Sequence, residues 1–359
     1  MPGEIHLSDP ENYDKIYYVG SKYIKSANLY NALCIPLSTF GTISNEVHRI
    51  RRAAMNPMFS RKMVFELEAV VQDKANKVCR LMQEGIKKGA AVDLHHAFRS
   101  VSVDVISDFA FDKSYNLLEK EDVGAYFFRM VRGLGPAMYV FQQFPSFQPV
   151  ALNTPPWLAP YLSEALGCVT GFQQDCAKQA QVVKRRMAEG KLGDRQTIFS
   201  TLLSEEDKPG GYQTPGDEVL MQEAYSILAA AADTTGNAMT VAAFNVLSNP
   251  LIYQRLVQDL EEAFPDPNAT LGFVELEKMP YLVHLSSCSC YIASNTDIID
   301  RHYQRSTPPL LWRPWTPSSC CSRTRSNVQR LLRTRRHDCW NVVVVDASQP
   351  RDLPQSPEF

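Results

Sequence analysis

The feature that most constrains this fold is one long run of apolar and small residues, 214–247, which stops just before an Asn249-Pro250 step. At its start, Thr214 offers a capping hydroxyl, Pro215 suits the first helical position, and Asp217 places an acid in the first turn. Because a residue that precedes proline disfavours the α-conformation, Asn249 predicts the end of the helix. Such a helix would be on the order of 50 Å long, enough to cross a whole domain.

The middle of this helix combines an apolar stretch with a polar interruption. Residues 227–232 are apolar all the way round, which predicts burial on every side, and the triplet Asp233-Thr234-Thr235 follows. A buried carboxylate is costly unless it is paired or hydrogen-bonded. The Thr234 hydroxyl can bond the carbonyl four residues back, on Ala230, and Gly236 leaves space beside the helix.

Two interpretations of this triplet stand side by side. An acid and a hydroxyl in a groove without bulky side chains suit a small ligand, such as dioxygen, that must receive protons in a dry site. A capping or interhelix hydrogen-bond cluster explains the same residues equally well. The residues alone do not separate the two.

The rest of the chain predicts a mainly α domain with many helices and little β-sheet. Between about residues 44 and 282, apolar residues recur at three- and four-residue spacing, for example Met63, Leu67 and Val71. Asn-Pro and Pro-Gly steps separate the segments. A hydrophobic fraction of 45% and a charged fraction of 21% are ordinary for a globular protein that buries a sizeable core.

The charge and hydropathy of the chain limit the kinds of partner that we expect it to bind. A formal net charge of −2 gives no reason to expect nucleic acid as a ligand. No run of about 18 apolar residues predicts a transmembrane helix. The polar segment 1–14 is read as neither a signal peptide nor an anchor, so the nine cysteines are expected to be reduced thiols.

The chain changes character near residue 282. Residues 283–359 contain many arginines but no lysine, glycine or methionine, and no helical or strand period is sustained there. We interpret 283–359 as an aberrant, disordered tail produced by a frameshift or a retained intron; a genuine disordered extension is the alternative. Cysteines crowd into this tail, but their spacing fits no pair of zinc knuckles, and no metal site is predicted from them.

Several segments together resemble the cytochrome P450 family of haem-thiolate monooxygenases, in its fungal form. Residues 230–235 resemble the family's central-helix signature, Ala/Gly-Gly-x-Asp/Glu-Thr-Thr, with Ala231 where glycine is usual. Residues 48–60 are similar to the family's third helix and the turn after it. Matches also lie at 93–111 and 249–282, in the family's order and spacing, so the resemblance covers roughly residues 4–282.

This resemblance implies a fold, a cofactor and roles for six residues. Residues 1–282 would form a partial cytochrome P450-like helical domain. Haem would be the cofactor, with its iron as the expected metal. The family pattern assigns His48 and Arg52 to the haem propionates, a geometry that two positions four apart on one helix face allow. It places Ala230 and Ala231 beside the haem, and it gives proton delivery to Asp233 and Thr234.

The family also implies partners and a location. An apolar small molecule, in secondary metabolism, would be the substrate, and an NADPH-dependent reductase would supply the electrons. Members of the family act at the endoplasmic reticulum membrane surface, although no anchor is recognised in this chain.

Two motifs that the family needs are absent from this sequence. Its Glu-x-x-Arg pair would fall near Cys288 and Tyr291, but the only Glu after residue 282 is Glu358. Its haem-ligating cysteine loop contains glycines, and residues 283–359 contain none. The expectation is therefore a monooxygenase by family that is inactive as written. A non-catalytic helical binding protein, or a pseudogene product of that family, is the alternative.

Overall fold

The structure is a computed structural model that describes residues 7, 9, 11–111, 113–191, 195–204, 208–266 and 269–294. Regular structure in these residues is helical, and none of them forms a β-strand. The prediction of a mainly α domain is confirmed. The α-helices are Glu11–Ile16 (α1), Ala27–Asn31 (α2), Asn45–Met55 (α3), Arg61–Glu66 (α4), Glu68–Lys88 (α5), Leu94–Phe111 (α6), Ala125–Arg132 (α7), Leu134–Gln143 (α8), Phe147–Leu152 (α9), Ala159–Leu162 (α10), Glu164–Ala188 (α11), Ile198–Leu203 (α12), Asp217–Ser248 (α13), Pro250–Ala263 (α14), Phe273–Glu277 (α15) and Pro280–Ser294 (α16).

The long helix predicted from the sequence is α13, with 32 residues. It ends where expected: Asn249 is extended, and its side chain accepts hydrogen bonds from the backbone N–H groups of Leu251 and Ile252, which caps α14. The predicted start was wrong by two residues. Gly216, not Thr214, is the N-cap, and no side chain caps it, because the chain becomes helical only where the acids Asp217 and Glu218 meet the positive end of the helix dipole.

The first half of α13 forms the centre of the main core. Leu220, Ala224 and Leu228 are fully buried, and they share one apolar cluster with side chains of α6, α11 and α12. Aromatic rings fill this cluster: the rings of Phe172 and Tyr225 lie 4.9 Å apart between centroids. Because a buried side chain of this size contributes about 1.5–3 kcal/mol, this packing fixes α13 against its neighbours.

The close crossing of α6 and α13 depends on Gly236. A Cβ atom placed there would lie 2.5 Å from Cγ, 2.7 Å from Cα and 2.9 Å from the backbone N of Arg99. The prediction that Gly236 leaves open space beside the helix was therefore wrong, since the backbone of α6 fills it. Ser102 ties the same crossing by donating a 2.8 Å hydrogen bond to the Ala231 carbonyl.

The last described helix crosses the predicted domain boundary. The compositional change after residue 282 falls inside α16, which runs on to Ser294. The part of the predicted tail that follows, 295–359, lies outside the described residues. Within the described part of the chain, no helix is long and apolar enough to cross a membrane.

We predict that Gly236→Ala lowers the free energy of unfolding by about 2 kcal/mol, because the added methyl group must push α6 and α13 apart. Gly135→Ala is the matched control: it also lies in a helix, but its Cβ would meet nothing within 4 Å. The control should be neutral or slightly stabilising. Urea unfolding of both variants measures the difference, and equal midpoints would contradict the tight crossing.

Candidate functional site

The polar triplet of α13 lies on an exposed face of the helix. Asp233, Thr234, Thr235 and Ala230 are exposed, Ala231 is half-buried, and Ala232 is buried. The prediction of burial on every side was therefore wrong. The helix packs on α6, α11 and α16, but these elements leave the face that carries the triplet open to solvent. The result is an open strip of small and polar residues.

The hydroxyl of Thr234 has the partner that the sequence suggested. It donates a 3.0 Å hydrogen bond to the carbonyl oxygen of Ala230. Ser102 donates a hydrogen bond to the next carbonyl, that of Ala231. Two successive carbonyls of the helix therefore accept hydrogen bonds from side chains. The Thr234 oxygen can still accept a hydrogen bond from the open side of the helix.

Asp233 is held by an arginine that the sequence analysis missed. Arg99 Nε donates a 2.6 Å hydrogen bond to Asp233 Oδ1, and this arginine side chain is only 4% exposed while the aspartate is 58% exposed. The ion pair orients the carboxylate from the buried side. Arg99 is the one arginine or lysine in α6 and directly follows Ala97-Phe98. That was the signal in the sequence, since buried arginines are rarely left without a partner.

The network continues from Arg99 to the surface. Arg99 Nη1 lies 2.6 Å from His95 Nδ1, and Arg132 Nη2 contacts the other ring nitrogen, Nε2. Burial, and then the neighbouring Arg99 and Arg132 charges, lower the pKa of His95 to about 4. His95 is therefore neutral at pH 7. The neighbouring His96 differs, because its ring and its backbone N–H both contact the Asp93 carboxylate.

The second group of predicted site residues lies on α3. His48 is half-buried, and its pKa is lowered by burial and by the charges of Lys25 and Arg52. The guanidinium carbon of Arg52 lies 4.6 Å from the centre of the Phe59 ring, and Arg52 has no carboxylate partner among the described residues. The neighbouring Arg51 differs, because its Nη1 donates to the Leu37 carbonyl and to Thr42 Oγ1.

A short loop connects the α3 group to α13. Leu37 N–H donates to Gln222 Oε1 at 2.7 Å, and Thr39 donates through both its N–H and its hydroxyl to Glu223 Oε1. Arg51 binds the same loop from the α3 side. These bonds fix the orientation of α3 relative to the first half of α13. Among the described residues, neither His48 nor Arg52 contacts Asp233, Arg99 or His95.

Cys34, Cys168 and Cys176 are poor thiolate candidates. Burial raises the pKa of Cys34 to about 11 and that of Cys176 well above its ordinary value. The pKa of Cys168 is also raised. Cys79 is exposed on α5. Among the described residues, no three His, Cys, Asp or Glu side chains cluster in a way that could hold a metal ion.

Comparisons with known proteins agree on one family. The family model for cytochrome P450 matches residues 22–285. The cytochrome P450 monooxygenase macH of Penicillium terrestre is 29% identical over 281 residues, which cover 78% of this chain and 55% of that protein. The monooxygenase tpcC of Cochliobolus heterostrophus is 30% identical, over 78% of this chain and 53% of its own length.

More distant matches point the same way. The tryptophan 6-hydroxylase fscE of Fusarium equiseti is 27% identical, over 78% of this chain and 55% of its own length. The crystal structure of a cytochrome P450, CYP102L1, shares the fold with a TM-score of 0.62 at 13% identity, over 79% of this chain and 59% of that one. The chain spans about half the length of the curated relatives it matches.

We predict that acidification destabilises the protein through His95. Its pKa falls from 6.5 in the unfolded chain to about 4 in the folded one, so its contribution to stability is complete above pH 6.5 and is lost as the pH falls toward 4. Because the ring is half-exposed, we expect the loss to be about 1 kcal/mol. Between pH 7 and pH 4.5, the free energy of unfolding of His95→Gln, measured by urea unfolding, should therefore fall by about 1 kcal/mol less than that of the unchanged protein. An identical loss in both proteins would contradict the prediction.

Proposed function

The chain belongs to the cytochrome P450 family, and we propose that it carries the oxygen-side half of a haem-dependent monooxygenase site. The observation that supports this proposal is the open strip on α13. There Asp233, Thr234 and Ala230 are exposed, and Ala231, next to them, is half-buried. A flat cofactor needs such a strip, because larger side chains would prevent its close approach.

The residues present fit haem on two of its sides. Ala230 and Ala231 offer a surface without long side chains, and Ala230 is exposed. On α3, Arg52 has no carboxylate partner among the described residues, so its guanidinium is available for a propionate, and His48 lies one turn away on the same helix. Haem, when bound through a cysteine thiolate, supplies oxygen activation and insertion into an apolar substrate.

The role of this chain's own groups is to hold protons near that surface. Arg99 fixes Oδ1 of Asp233, so that carboxylate keeps one orientation while its exposed part meets water. The Thr234 hydroxyl donates a hydrogen bond to the Ala230 carbonyl. The lone pairs of the Thr234 oxygen therefore remain free to accept a hydrogen bond from another donor. In this arrangement Asp233 exchanges protons with solvent, and Thr234 positions a water or a proton at the oxygen side of the site.

The wider reaction follows from the family. The substrate is an apolar small molecule, and an NADPH-dependent reductase delivers the electrons, with the endoplasmic reticulum membrane surface as the location. Relatives include a tryptophan 6-hydroxylase and a monooxygenase of a grayanic acid biosynthesis cluster, names that point to secondary metabolism.

Residues 283–359 do not contain the two motifs that the family uses to complete its haem site. Residues 283–359 contain no glycine and only Glu358 among glutamates, so neither the Glu-x-x-Arg pair nor the glycine-containing cysteine loop occurs in them. Burial disfavours the thiolate at Cys34 and Cys176. We therefore propose that this protein descends from monooxygenases but does not catalyse the reaction in this form. A non-catalytic helical binding protein or pseudogene product is the alternative.

Haem titration of the full 359-residue chain tests both parts. We expect hemin to bind without the reduced-CO absorption band of thiolate-ligated haem. Arg52→Gln should weaken hemin binding about tenfold, because a charge-assisted contact to a propionate is lost. Arg49→Gln, an exposed position on the same helix, is the control and should leave binding unchanged. The thiolate band in the pure chain would refute inactivity. Equal effects of the two variants would refute the propionate assignment.

A further inference from the structure

A cluster of basic groups beside Asp233 contains an arginine that has no carboxylate partner among the described residues. Arg99 and Arg132 both contact the ring of His95, and Asp233 is the one carboxylate that pairs with either arginine in the described part of the chain. Asp93 also acts on His95, but its carboxylate contacts His96 rather than either arginine. Arg132, which is exposed at the end of α7, is therefore left without a carboxylate partner in the described part of the chain.

Hydrogen-bond chemistry at His95 points to the same arginine. A neutral imidazole has one N–H donor and one acceptor nitrogen, whereas a guanidinium has only donors. Arg99 and Arg132 approach opposite ring nitrogens, so only one of the two contacts can be a hydrogen bond. Arg99 is buried and held by Asp233. Arg132 is therefore the arginine that would gain from an acceptor supplied by another molecule.

A cavity of about 240 Å³ lies next to this arginine, between α7, the start of α8 and α13. Its lining residues are Phe128, Val131, Arg132, Gly135, Ala232 and Asp233. The lining combines apolar side chains with one positive and one negative group, and the negative group, Asp233, is already paired with Arg99. The cavity is large enough for a small ring.

We propose that this cavity binds the carboxylate of an apolar substrate, with Arg132 as its anchor. The planar guanidinium offers two parallel N–H groups to a carboxylate, which supplies the partner that Arg132 lacks among the described residues. Phe128, Val131 and Ala232 then contact the apolar body of the same molecule. The identification of this ligand as a substrate rests on the proposed function, but its binding in the cavity requires no haem.

Paired ligands that differ only in charge test the proposal on the full chain. By calorimetry or saturation-transfer NMR, 2-naphthoate should bind at least about tenfold more tightly than the neutral 2-naphthamide. Arg132→Gln should reduce naphthoate binding to the level of the amide, and Arg132→Lys should retain part of the preference. Arg129→Gln is the matched control, since Arg129 is exposed on the same helix but does not line the cavity, and it should keep the full preference.

Sodium formate separates a substrate site from a general anion site. Formate carries the same charge without an apolar body, so it should bind at least about tenfold more weakly than 2-naphthoate. Equal affinity for formate and naphthoate, equal affinity for naphthoate and naphthamide, or a preference that survives in Arg132→Gln would overturn the proposal. A naphthoate preference in a chain that takes up no hemin would support this inference and count only against the haem site.

Discussion

The crossing of α6 and α13 at Gly236 is the constraint on which the site depends. The backbone of Arg99 occupies the space that any side chain at position 236 would need, so the two helices can approach closely only with glycine there. The same approach brings the Arg99 guanidinium to Asp233 and the Ser102 hydroxyl to the Ala231 carbonyl. One contact between two helices thus fixes both the packing and the orientation of the acid.

The helices of this fold could be predicted from local patterns in the sequence. The end of α13 at Asn249 follows from proline geometry, and the Thr234 bond to Ala230 follows from helical spacing. The exposure of Asp233 could not be predicted, because apolar neighbours along a helix do not tell which of its faces another element covers. The partner Arg99 was also missed, since it lies 134 residues away in sequence.

The charges of the molecule divide into two groups with different partners. On α3, Arg51 is used internally to hold the loop that is hydrogen-bonded to α13, whereas Arg52 and His48 are the residues that we propose contact the cofactor. Beside α13, Arg99 is used internally to hold Asp233, which leaves Arg132 for a ligand. In each group one arginine is held by contacts within the protein, and a neighbouring arginine has no carboxylate partner among the described residues.

The most direct measurement of this arrangement is a double-mutant cycle on the free energy of unfolding, with Arg99→Gln, Asp233→Asn and the double variant. If the pair orients the acid from within the helix crossing, the single changes will not add, and the coupling energy should be about 1–2 kcal/mol. Effects that add to within about 0.4 kcal/mol would show that Arg99 and Asp233 do not interact in solution. That result would contradict the central role of this ion pair in the site.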